Sequence, residues 1–182
     1  MKNFGRKGVE WDSKVELILG LANIVKAIDW LSEELKTEDF ARNGVSVVVR
    51  IREGKEESTT GLAANYRRNG HKISIINRGN SRASLLCSFV HELVHAFQFK
   101  HTVGGKVVSF KASNSVFETL SVRAKYAGQV RGKAYLSKPI EIQAFAVQYK
   151  YTRNVLELDP TIFSGNRIGC YRKLGIDILN VL

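Results

Sequence analysis

Cysteine is scarce in this 182-residue chain: Cys87 and Cys170 stand alone, far apart and outside any CxxC pair. That excludes a disulfide framework, argues against a cysteine-based zinc site and fits a reducing interior. Long apolar runs are missing too, so no segment approaches the roughly 20 residues that a membrane-spanning helix needs. The first residues, MKNFGRKGVEWD, hold no hydrophobic region of the signal-peptide kind. The expected setting is therefore the cytoplasm, with no membrane partner. Acidic residues are in the minority, 17 against 28 Lys+Arg, giving a net charge of +11. Such a surplus favours a polyanion such as nucleic acid, through counterion release, or acidic protein substrates. The basic residues are spread along the chain, however, and the plainer reading is a solvated basic surface. The densest cluster, YRRNGHK with Arg78 and Arg82 nearby, doubles as a turn signal. Internal repeats and low-complexity linkers are also absent, and an ordinary charged fraction of 25% goes with one domain over residues 1–182.

What is present divides into helices and strands in a telling order. In KVELILGLANIVKAIDWLSEELK, residues 14–36, Val15, Ile18, Leu21, Val25, Ile28 and Leu31 recur at helical spacing and predict one long amphipathic helix. The β-branched GVSVVVRI predicts a strand at about 45–52. GLAANYRRNGHKISIIN then reads as two strands around Asn69-Gly70, a dipeptide suited to the positive φ values of a type I′ hairpin turn. Ser81 offers a cap for a helix over about 82–100. Residues 101–112, with their VGG, suggest a loop or short hairpin, and SNSVFETLSVRAKYAG a helix ending at Gly128. Pro139 opens a further helix, where its missing N–H costs least, placing Ile142, Phe145, Ala146 and Tyr149 on one face. The tail after Pro160 is expected to be partly helical. A sheet over about 45–77 followed by helices over about 82–153 predicts an α+β layer arrangement, not a doubly wound sheet.

The chemistry concentrates in SFVHELVHAFQFKH, Ser88 to His101. On a helix, His91 and His95 project one above the other, so both imidazoles can reach one zinc ion. Glu92 lies at the edge of that face, better placed to touch a zinc-bound water than to bind the metal. This is the HExxH pattern of zinc metallopeptidases, in which the glutamate is the general base and the metal lowers the pKa of its water. The plain alternative is a pair of satisfied histidines on a partly buried helix. Cys87, four residues before His91, would allow a closed structural site with the two histidines, but leaves Glu92 without a role.

A catalytic site needs a third protein ligand. His101 completes HExxHxxxxxH, as in metzincins, but Gln98 stands where that pattern has a helix-breaking glycine. On an unbroken helix His101 lies about 280° round from His91 and roughly 15 Å along the axis. Glu118 has no ligand signature around it. Glu141, in the first turn of the helix opened by Pro139, is the stronger candidate, since a carboxylate there can project from a second helix onto a histidine pair. His71 follows the Asn-Gly turn and reads as an exposed turn residue.

HELVHAFQ followed by YLSKPIEIQAFA resembles the compact bacterial and bacteriophage gluzincins, including the ImmA/IrrE-like metallopeptidases. Glu141-Ile-Gln-Ala144 matches the E-x-x-A portion of their second helix, although Phe145 here follows Ala144 directly. The resemblance spans about residues 60–150 and implies a zincin-like fold, a small mixed or antiparallel sheet packed against the active-site helix and further helices. It implies one Zn2+ held by His91, His95 and Glu141, with Glu92 catalytic, acting on a protein or peptide in a bacterial or phage-infected cell. It also implies that the strand at 61–67 forms a sheet edge on which substrate lies, small Gly61, Ala63 and Ala64 allowing close approach. Tyr135, His101 and Tyr126 are available as transition-state contacts. Two rivals remain: a DNA-associated protease resembling SprT-like proteins, which take a later histidine that this chain lacks, and a zincin-derived binding protein that no longer cleaves.

Overall fold

Lys7 and Gly8 both adopt positive φ, 46° and 71°, and fold the N-terminal stretch back on itself as a hairpin. Its strands are β1 (Asn3–Arg6) and β2 (Val9–Asp12), paired antiparallel with Arg6 opposite Val9. Glycine is required at position 8 on two counts. Its φ disfavours an L side chain, and a Cβ there would stand 2.5 Å from the Ala41 nitrogen. This hairpin has no counterpart in the periodicity of the sequence, because four-residue strands are too short to show one.

The computed structural model describes residues 3–53, 64–100, 102–103, 106–107, 139–163, 167–173 and 177–179. They belong to two compact units, Met1–Lys100 and His101–Leu182.

In the first unit, β2 runs into α1 (Ser13–Leu19), whose N-terminus is capped by Asp12 Oδ1 accepting from the Val15 N–H at 3.0 Å. The single long helix expected over 14–36 is broken. Gly20 takes φ 83° and ψ 129°, outside the helical region, and α2 (Leu21–Glu34) starts after it. The break redistributes the apolar positions: Val15, Leu19, Ile24, Ala27, Ile28 and Leu31 are buried, while Leu21 is exposed. Arg6 grips Asp29 of α2 bidentately at 2.7 and 2.5 Å, and this pairing holds the Asp29 carboxyl below the usual carboxylate range.

β3 (Val47–Glu53), β4 (Ala64–Arg67) and β5 (Lys72–Asn77) complete a five-stranded sheet in the order β1-β2-β3-β5-β4. The β2–β3 and β3–β5 pairs are parallel and the outer two antiparallel, so the sheet is mixed. Val47, Val49 and Ile51 alternate with more exposed neighbours along β3, as a strand buried on one face requires. β4 is an edge strand, as expected for residues 64–67; Gly61 and Ala63 lie outside the described residues.

The hairpin between β4 and β5 forms, but not with the expected two-residue type I′ turn. The connection is four residues, 68–71, closed by the His71 N–H donating to the Arg68 carbonyl at 3.2 Å, with positive φ at Gly70 and His71. Nor is His71 exposed: it is 4% accessible. Its Nε2 lies 3.0 Å from the Phe40 carbonyl oxygen and its Nδ1 2.6 Å from the Tyr66 hydroxyl. A carbonyl only accepts, so Nε2 carries the proton and Nδ1 accepts from Tyr66. These two bonds draw the ring inward and offset the left-handed backbone.

α3 (Arg82–Lys100) then packs against β4, β5 and α2. The mixture of helices with a mixed sheet is that of an α+β protein.

In the second unit, β6 (Thr102–Val103) and β7 (Lys106–Val107) form a short antiparallel hairpin. The 16-residue α4 (Pro139–Asn154) starts at the expected proline. Phe145, Ala146 and Tyr149 of α4 form a core with Tyr171 and Ile178, against which Ile142, Ile168 and Leu179 pack. Tyr171 comes from α5 (Arg167–Lys173), preceded by a 3-10 turn at Pro160–Phe163. The expected helix ending at Gly128 lies outside the described residues. No described helix is long and apolar enough to cross a membrane.

Candidate metal centre

α3 begins as expected, with the Ser84 N–H donating to Ser81 Oγ at 3.3 Å. From Leu85 to Gln98 nearly every side chain is buried, on all sides of the helix. Among these apolar residues sit His91, Glu92, His95 and Gln98, accessible to 6, 8, 3 and 4%. Burying four polar groups on one helix is costly unless each is hydrogen-bonded or ligated.

The two imidazoles are arranged for a common target. Their rings are nearly perpendicular, at 86°, with centroids 4.7 Å apart, and the His91 and His95 Nε2 atoms stand 3.1 Å from each other. Two nitrogens bound tetrahedrally to zinc at ordinary bond lengths stand about 3.3 Å apart. The observed pair thus already has nearly the spacing of two ligands on one ion. A donor set of buried imidazoles is of the kind zinc takes.

Gln98 determines which ring nitrogen of His95 carries the proton. Its side-chain oxygen lies 2.7 Å from His95 Nδ1. An amide oxygen accepts, so Nδ1 holds the proton and the Nε2 lone pair is left for a metal. In the sequence Gln98 reads only as the residue that keeps the helix going past His95. The signal for its second role was the spacing itself, since residues three apart on a helix are neighbours.

Glu92 follows His91 and shares its buried setting. Glu141 occupies the first turn of α4 in the second unit and is 1% accessible. Its charge is felt by Tyr171: burial first, then proximity to Tyr149 and Glu141, pushes that phenol above its ordinary range. Tyr149 is pushed up to about 12, chiefly by burial. From the sequence Tyr149 is placed only on one face of its helix, and Tyr171 carries no reading of its own. His101 and Tyr135, together with Tyr126 and Glu118, lie outside the described residues. Cys87 is buried and makes no disulfide.

Comparison of the chain with family models, curated proteins and solved structures finds no match in any of the three. The arrangement on α3 is therefore read from its own geometry.

Proposed function

We propose that this chain is a zinc-dependent metallopeptidase of gluzincin type with a zincin-like fold, in which His91, His95 and Glu141 hold one Zn2+ and Glu92 is the general base. The observation that carries the reading is the convergent imidazole pair, with its 3.1 Å Nε2 separation. A buried HExxH helix with His95 held in a ligating tautomer has little purpose without an ion. All three ligand side chains are buried and each offers a donor atom of the kind zinc takes.

When bound, zinc supplies a Lewis acid that polarises the scissile carbonyl and lowers the pKa of a coordinated water towards about 7. Glu92 accepts a proton from the attacking water as the C–O bond forms, then delivers it to the leaving amine as the C–N bond breaks. Gln98 keeps the His95 ring in place throughout. The edge strand β4 offers backbone groups to an extended peptide.

Elemental analysis and peptide hydrolysis on wild type, His95→Ala, Glu141→Ala, His101→Ala and Glu92→Gln test this. One zinc per wild-type chain is expected, with its loss in His95→Ala and Glu141→Ala, retention in His101→Ala, and retention without hydrolysis in Glu92→Gln. A wild-type protein that binds no zinc, or a Glu92→Gln variant that still cleaves, would sink the proposal.

A further inference from the structure

The basic cluster of the β4–β5 hairpin has a structure of its own, away from the histidine pair. Phe99, in the last turn of α3, is half-buried and flanked by Tyr66 and His71, with ring centroids 6.1 and 6.2 Å away. Two guanidinium groups lie over its ring: Arg42 at 3.9 Å and Arg68 at 4.9 Å from the centroid. Arg42 comes from the segment before β3 and Arg68 from the hairpin turn, so two distant parts of the chain deliver like charges to one aromatic ring. Arg67 and Arg68 are exposed, and Lys72 lies opposite Arg67 across the hairpin. Nearby Lys100 is engaged with the Asp39 carboxylate and carbonyl, both at 2.8 Å.

Gathering like charges is unfavourable unless something offsets it. The π face of Phe99 offsets part of that cost. Each guanidinium is a planar fork, which phosphate oxygens take bidentately, and contact with the ring limits its freedom. His71 adds no charge here: burial and the neighbouring Arg42 and Lys100 keep it neutral, and its bond to Tyr66 stiffens the wall beside Phe99.

We propose that Arg42 and Arg68, held on the Phe99 ring, form a phosphate site that takes the phosphodiester backbone of a nucleic acid. Forks from two segments, with Arg67 and Lys72 beyond them, suit a chain of phosphates better than a single anion. The net charge of +11 adds a long-range attraction. The site is independent of the proposed peptidase chemistry and needs no metal.

Fluorescence anisotropy of a labelled mixed-sequence DNA strand, its duplex and the matching RNA, over about 50–200 mM salt, provides the test. Wild type is expected to bind at least one of the three with affinity falling at least tenfold over that range. Arg42→Gln and Arg68→Gln should each reduce the slope of log K against log salt by about one. Phe99→Leu, which keeps every charge, should weaken binding several-fold. Arg172→Gln/Lys173→Gln removes two exposed charges from α5 and should change affinity less than twofold. Circular dichroism checks that each variant is folded, and Arg42→Lys, which keeps charge but loses the fork, should bind more weakly at an unchanged slope. Three results would overturn the site: no wild-type binding, equal loss in the Arg172/Lys173 control, or competition by polyglutamate as effective as by unlabelled DNA.

Discussion

His95 Nδ1 and Gln98 Oε1 lie 2.7 Å apart on one helix, and this bond decides which ring nitrogen of His95 keeps its lone pair. Replacing Gln98 with leucine keeps the helix and the volume but removes the acceptor. Zinc affinity, measured by competition with a chromophoric chelator, should fall about 10–100-fold, the usual cost of losing a partner behind a ligating histidine. Gln98→Glu, which still accepts, should stay near wild type. An unchanged affinity in Gln98→Leu would show that the bond does not orient the ring.

Zinc should also stabilise the fold, because a ligand that binds only the native state adds to its stability by mass action. At a hundredfold excess over Kd the gain is about 2.7 kcal/mol. A thermal melt with and without a chelator should show it as a rise of several degrees, absent in His95→Ala. Identical melting in both conditions for wild type would contradict the metal site.

His71 makes the fold sensitive to acid. Its folded pKa lies below the ordinary 6.5, chiefly because burial disfavours the charged ring. Below about pH 6.5 the unfolded chain takes up a proton that the folded one refuses, so stability is full above that pH and is lost as pH falls towards the folded value. His71→Asn tolerates the positive φ of this position and removes the titrating group. Urea titrations between about pH 7 and 5 should show a shallower acid-side loss in the variant than in wild type. Parallel curves would assign the acid sensitivity to other groups.

Gly8→Ala should be among the most damaging single-atom additions in the first unit. The new Cβ meets the Ala41 nitrogen at 2.5 Å, and φ is 71°. Left-handed strain alone costs about 1–2 kcal/mol, and the backbone must move besides. Gly8 also supplies the carbonyl that accepts from the Val47 N–H at 2.8 Å, so the shift propagates into β3. Gly44→Ala, also at positive φ but in open space, is the control and should cost only the strain.

The histidine helix was legible because its signals are local: a serine cap, an apolar run and donors four residues apart. The helix opened by Pro139 was legible for the same reason, down to the face formed by Phe145, Ala146 and Tyr149. What stayed hidden depends on partners remote in sequence. His71 is buried because Phe40, from another loop, accepts its proton. The β1–β2 hairpin exists because β2 finds β3, and its four-residue strands carry no period of their own. Gly20 sits where the apolar spacing continues almost undisturbed, so nothing local marks the break; its backbone angles do. Gln98 was seen correctly as a helix former, yet its contact with His95 required side-chain geometry.

The parallel pairing of β2 with β3 has a kinetic consequence. Val9 meets Val47 only after all of α1 and α2 has been threaded between them. Helices as short as these hardly persist alone, so they cannot pre-arrange that crossing. Closing so long a loop costs entropy before any ladder bond repays it. The β4–β5 hairpin, by contrast, closes over four residues and can form early. Folding of the first unit should therefore wait on the β2–β3 meeting. Changes there would slow the rate of folding, while changes in contacts made afterwards would mainly hasten unfolding.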